Sequence, residues 1–124
     1  MIRRILVVDD TPIALVGMRA LLETIGAEIE IVTAGGATEA ISKIREAVAA
    51  GQPFKLAIVD YRMPPGPYGD TLVAVVQAES PDTPTLMTSS MSYAEYDKLP
   101  VRATEFFQKG DGDPRGVVRR LLGL

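Results

Sequence analysis

Short apolar runs alternate along this chain with longer amphipathic stretches. Ile5-Leu6-Val7-Val8 is one such run, closed by Asp9-Asp10, and Leu56-Ala57-Ile58-Val59 is another, closed by Asp60. Apolar runs this short, with no polar residue between, predict parallel strands covered on both faces. Glu28 to Val32 instead alternates acid and isoleucine, the pattern of a half-exposed strand near a sheet edge. Pro84 to Ser89 and Glu105-Phe106-Phe107-Gln108 predict two further strands.

The stretches between them carry helical spacing. Thr11 can cap a helix with Pro12 in its first turn and an apolar stripe of Ile13, Val16, Gly17, Ala20 and Leu21 before Gly26 stops it. Ala37, Ala40, Ile41, Ile44 and Val48 mark one face of a second helix running to about Ala50, ended by Gly51 and Pro53. Asp70 to Glu79 is β-branched enough to be a strand. Because parallel strands need a crossover between them, the expectation is a helix. Met91 to Leu99 has no clean stripe and is cut by Pro100, so a short or mobile helix is expected there. Pro114 opens a closing helix with Val117, Val118, Leu121 and Leu122 inward. Five strands alternating with helices predict a single α/β domain over residues 1–124, a doubly wound and mainly parallel sheet.

Composition narrows the chemistry. The chain has 124 residues, enough for one buried core, and with 47 % hydrophobic and 23 % charged residues it reads as a globular protein. No apolar run approaches bilayer length and no signal peptide is evident, so a cytoplasmic location without membrane contact is expected. The Met1 start favours a protein that begins here, and the chain either stands alone or is cut from a larger protein. Cysteine and histidine are both absent, which excludes disulfides, thiol nucleophiles, the usual zinc sites and histidine acid-base chemistry. A net charge of −3 argues against direct nucleic-acid binding, where a basic face is expected.

What remains is carboxylate, hydroxyl and lysine chemistry at the carboxyl ends of the strands, where open parallel sheets bind ligands. Those ends carry Asp9, Asp10, Asp60, Ser89 and Lys109. Each alone has an ordinary explanation: an acid favouring a helix dipole, a turn serine, a solvated lysine. Together they point to phosphate chemistry. Three clustered carboxylates repel unless a cation such as Mg²⁺ neutralises them. A serine and a lysine can then hold phosphoryl oxygens, and an aspartate can act as the nucleophile.

The runs Ile5 to Asp10, Leu56 to Pro64, Pro84 to Ser90 and Ala103 to Lys109 resemble a response-regulator receiver domain of two-component signalling, over essentially the whole chain. The resemblance implies a flavodoxin-like five-stranded parallel sheet of order 2-1-3-4-5, the order the chemotaxis receiver shows. It implies that Asp60 is the phosphoacceptor. Asp9, Asp10, Asp60 and the backbone carbonyl of Arg62 would ligate Mg²⁺ or Mn²⁺. Ser89, Lys109 and Phe106 would take the phosphate-binding and switch positions. It further implies a bacterial protein that is not a classical enzyme, phosphorylated by a sensor histidine kinase or histidine phosphotransfer protein, with a downstream protein target read through the surface of the fourth helix, fifth strand and fifth helix.

The chain departs from the family at Gly110, where proline usually follows the lysine, and at Phe106, which lacks the hydroxyl many members carry. Matching Gly69 to the family's glycine before the third helix requires one extra residue within Pro65-Gly66-Pro67-Tyr68. Arg62, two residues past Asp60, either overhangs the phosphate or faces solvent. Two other readings stand beside this one. The first is a phosphorylation-independent interaction module. The second is a metal-dependent phosphohydrolase working through an aspartyl intermediate, which would need a second acid where Arg62 stands.

Overall fold

The computed structural model describes residues 2–26, 28–63 and 68–124. The strands are β1 (Arg3–Val8), β2 (Ile29–Ala34), β3 (Leu56–Asp60), β4 (Thr85–Ser89) and β5 (Glu105–Gln108); the helices are α1 (Pro12–Glu23), α2 (Ala37–Ala49), α3 (Gly69–Glu79), α4 (Tyr93–Tyr96) and α5 (Arg115–Leu121). All pairings are parallel and the sheet order is β2-β1-β3-β4-β5. The expected flavodoxin-like order holds. The chain winds outward in both directions from β1 and β3, so the crevice between their carboxyl ends is the switch point at which such sheets bind ligands.

Alternation along the strands sorts the core into two layers. Leu6, Val8, Ala57 and Val59 face α2 and α3, where they meet Ala40, Ile44, Leu72 and Val76. Ile5, Val7, Leu56 and Ile58 face the other way, onto Leu22, Ile25 and Val118 of the α1 and α5 side. A third cluster lies under α4, where Val73, Met87, Met91, Tyr96 and Phe106 pack together. Each fully buried branched side chain contributes about 1.5–3 kcal/mol, so strands buried on both faces tolerate no polar residue until they emerge. They emerge at Asp9 and Asp60.

Four expectations need correction. The stripe of α1 containing Ile13 and Val16 faces solvent, 79 % and 67 % exposed. The helix instead packs through Leu15, Met18 and Leu22, because the longer side chains fill the space over the sheet. Thr11 starts α1 without a side-chain cap; its N–H donates instead to Asp9 Oδ1 at 3.0 Å. In α2 it is Ala47 that turns inward, while Val48 is exposed. β2 also runs two residues beyond Val32, since Thr33 and Ala34 continue the pairing with Val7 and Val8.

At that edge the outward carbonyls of β2 are covered from both layers. Arg19 of α1 donates to the Ile31 carbonyl at 3.2 Å and Lys43 of α2 to the Thr33 carbonyl at 2.5 Å, which closes the edge to further strands. α4 is a single turn with a capping box, Ser92 Oγ accepting from the Glu95 N–H and Glu95 returning to the Ser92 N–H. The proline-rich stretch after Met63, with its extra residue, lies outside the described residues. Among the described residues no helix is long and apolar enough to cross a membrane.

Candidate functional site

The register brings Asp9, Asp60, Ser89 and Lys109 to the carboxyl ends of the strands. Val8 pairs with Val59, so Asp9 and Asp60 emerge side by side. Asp60 pairs with Thr88, and the Tyr61 N–H donates to the Thr88 carbonyl at 3.0 Å. Beyond β4, the Lys109 N–H donates to the Ser89 carbonyl at 2.8 Å. Each side chain thus hangs from a backbone position fixed by the ladder.

The carboxylates of Asp9, Asp10 and Asp60 offer oxygens within 4.8 Å of one another. Lys109 Nζ lies 2.9 Å from Asp60 Oδ1 and 3.8 Å from Asp9 Oδ2. Asp9 and Asp60 are buried, Asp10 is exposed. Burial pushes the Asp60 carboxyl above the ordinary carboxylate range; the Lys109 hydrogen bond opposes this, and the charges of Asp9 and Asp10 add to it. Three acids facing one ammonium leave a surplus of negative charge, and the donors are all oxygen. Such a set suits a hard divalent cation.

Gly69 locks the far side of Asp60. Its N–H donates to the Tyr61 carbonyl at 2.7 Å, and an added Cβ would stand 2.5 Å from the Asp60 carbonyl oxygen and 2.9 Å from Tyr61 Cα. Only glycine allows this approach, so α3 begins against the backbone of the strand that carries Asp60.

The other expected residues fall into place differently. Ser89 is buried at the end of β4, and its Oγ accepts from the Met91 N–H at 3.3 Å. That leaves the hydroxyl proton free to donate. Phe106 stands apart from the carboxylates, 8 % exposed in the cluster beneath α4. Its ring stacks on Tyr96 at 4.5 Å and meets the edge of Tyr93 at 5.2 Å. Arg62 is exposed, and its charge reaches the Tyr61 phenol and the Glu95 carboxylate. Gly110 has φ +87° and follows Lys109 in a tight turn closed by the Asp111 N–H on the Gln108 carbonyl at 3.1 Å. The Lys109 ammonium reaches Asp60 without the proline.

Sequence reading missed the two tyrosines around Phe106, which lie on an element with no apolar stripe. It also missed Thr88, whose buried position opposite Asp60 follows from the strand register. A groove of about 770 Å³ opens beside Tyr93, Tyr96, Arg102 and Phe106.

Comparison with known proteins agrees with this geometry. The family model of the response regulator receiver domain matches residues 5–110. No curated protein matches the chain. Among solved structures it is similar to the response regulator TrrA of Thermotoga maritima, crystallised in complex with Mg²⁺-BeF, at 26 % identity and TM-score 0.79, over 96 % of this chain and 98 % of that one. It is similar to the chemotaxis protein CheY4 of Vibrio cholerae at 28 % identity and TM-score 0.76, over 98 % and 97 % of the two chains. A CheY-like receiver domain protein of Methanospirillum hungatei has 26 % identity and TM-score 0.75, over 98 % and 91 %. With its sheet order, its three acids and its lysine in register, the chain belongs to the response regulator receiver domain family.

Proposed function

We propose that Asp60 accepts a phosphoryl group from a phosphohistidine of a sensor histidine kinase or histidine phosphotransfer protein, and that the modified domain is read by a downstream protein. The observation that carries this reading is the Lys109 ammonium 2.9 Å from Asp60 Oδ1, beside two further carboxylates. The chain has no histidine, so the donor must come from outside. An Asp60 carboxylate oxygen forms the new P–O bond while the P–N bond of the donor breaks and the imidazole nitrogen keeps the electron pair. That step needs Asp60 ionised. Burial works against ionisation and the Lys109 hydrogen bond works for it, so Lys109 both keeps the nucleophile charged and stabilises the charge of the transferring group.

Asp9, Asp10 and Asp60, with the main-chain carbonyl of Arg62, would hold Mg²⁺ or Mn²⁺. When bound there, the ion neutralises carboxylate and phosphoryl charge. The surplus of negative charge in an all-oxygen donor set supports this, as does the Mg²⁺-BeF complex of the Thermotoga relative. Ser89 supplies a hydroxyl donor for the new phosphate. Phe106, packed between two tyrosines of α4, links that change to the α4-β5-α5 face, and the 770 Å³ groove that α4 and β5 border offers a surface for the target. Modification is stoichiometric, with Asp60 as both acceptor and site of hydrolysis, so the domain acts as a switch and not as an enzyme on an external substrate. Such a relay operates in the bacterial cytoplasm, and the net charge of −3 favours protein partners over nucleic acid.

A glycine after Lys109 and a short fourth helix would suit a phosphorylation-independent module, but Lys109 is seated by a turn that Gly110 itself makes, which favours a working site. Titration with beryllofluoride in the presence and absence of Mg²⁺, followed by amide NMR, tests the proposal. Shifts at Ser89, Lys109 and Phe106 that require Mg²⁺ are expected. An unchanged spectrum with both present would refute it, and steady hydrolysis of a small phosphoester would favour a phosphohydrolase.

A further inference from the structure

Phe106 has no hydroxyl, and a glycine follows Lys109. The structure connects these two places through residues outside the carboxylate cluster. Gln108 to Asp111 form a β-turn with Lys109 and Gly110 as its central pair, closed at 3.1 Å. Gly110, with φ +87°, takes the third-position conformation of a type II turn, which proline cannot adopt. Gly112 follows with φ +104°, so the backbone on the far side of Lys109 is intrinsically permissive. On the near side Lys109 is anchored, its N–H on the Ser89 carbonyl at 2.8 Å.

The far side has an anchor too. The Tyr93 phenol donates to Asp111 Oδ2 at 3.1 Å. Tyr93 opens α4, directly after the Ser92 cap, and its ring meets Phe106 edge-on at 5.2 Å. One side chain therefore touches both the turn that carries the ammonium and the aromatic stack beneath α4. We propose that Tyr93 is a positioning residue for Lys109: through Asp111 it holds the turn that aims the ammonium at Asp60, and it ties that turn to the Phe106 stack. The inference rests on Asp60 being the phosphoacceptor. It supplies, from α4, the hydroxyl that Phe106 lacks.

Wild type, Tyr93→Phe, Asp111→Ala and Asp111→Asn are compared in three measurements: Mg²⁺ affinity, beryllofluoride affinity at saturating Mg²⁺, and hydrogen exchange of the Asp111 amide. Tyr93→Phe and Asp111→Ala are expected to weaken beryllofluoride binding roughly two- to tenfold, the span of one hydrogen bond, and to speed Asp111 exchange by a similar factor. Mg²⁺ affinity does not fall, because the carboxylates are untouched and a loosened ammonium competes less with the ion. Asp111→Asn keeps an oxygen acceptor and recovers most of the loss. Unchanged beryllofluoride binding in Tyr93→Phe overturns the proposal, as does a parallel loss of Mg²⁺ affinity or an Asn variant no better than Ala. If wild type itself fails to take beryllofluoride, the phosphoacceptor reading fails; the clamp is then judged on exchange alone, where an unchanged Asp111 rate in Tyr93→Phe refutes it and a faster one supports it.

Discussion

Gly69→Ala is a one-carbon change whose effect follows from distances beside Asp60. The new Cβ would stand 2.5 Å from the Asp60 carbonyl oxygen, 2.9 Å from Tyr61 Cα and 3.0 Å from Val59 Cγ1. Ordinary contact requires the first of these to open by roughly 1 Å. Two of the three obstacles are backbone at the end of a strand buried on both faces, so no rotamer change relieves them. Overpacking of this kind costs about 1–3 kcal/mol. Replacing a helical glycine by alanine returns up to about 1 kcal/mol in a helix interior and less in the first turn, which leaves a net destabilisation of up to about 3 kcal/mol. Gly17→Ala is the matched control, since nothing lies within 4 Å of its added Cβ; it should be neutral or stabilising by up to about 1 kcal/mol. Urea denaturation of the two variants, compared at constant m-value, reads the difference. Equal stability of Gly69→Ala and Gly17→Ala would refute the packing argument. Displacement of the Asp60 main chain should also weaken Mg²⁺ binding in Gly69→Ala alone.

Other changes test other parts of the account. The folded chain holds the Asp60 proton more tightly than the unfolded chain, so the ionised carboxylate is destabilising and stability falls as pH rises through the folded value. In metal-free buffer Asp60→Asn is therefore expected to be more stable than wild type at neutral pH, with the gain disappearing on acidification below the ordinary carboxylate range; thermal melts across pH check this. Lys109→Ala should slow phosphorylation by a small donor about 10²–10³-fold, the effect of removing one charge-stabilising donor, as measured by intact-mass kinetics. Val16→Asp, on the exposed face of α1, should change stability by no more than about 0.5 kcal/mol, whereas Leu22→Ala, fully buried in the same helix, should cost about 2–5 kcal/mol. Denaturant midpoints separate the two.

Much of the fold was legible because doubly covered strands leave no room for polar residues until they end. That is why Ile5 to Val8 and Leu56 to Val59 pointed at Asp9 and Asp60, and why the parallel register then set the two acids side by side. The inward face of α1 was not legible, since Ile13 and Val16 on one side compete with Leu15, Met18 and Leu22 on the other, and only packing on the sheet decides between them. α4 carried the Ser92-x-x-Glu95 capping pattern but no stripe, so its single turn was written only in its cap. The Tyr93 contact with Asp111 spans 18 positions and depends on the turn that Gly110 permits. No local pattern encodes it.

The central claim is that Asp60 is the phosphoacceptor of a Mg²⁺-dependent switch. Incubation with acetyl phosphate and Mg²⁺, followed by intact mass and peptide mapping, tests it most directly. The account predicts one phosphoryl group per chain, on Asp60, absent after chelation of the metal and absent in Asp60→Asn. A phosphoryl group that persists in Asp60→Asn, or none on the wild-type chain, would contradict it.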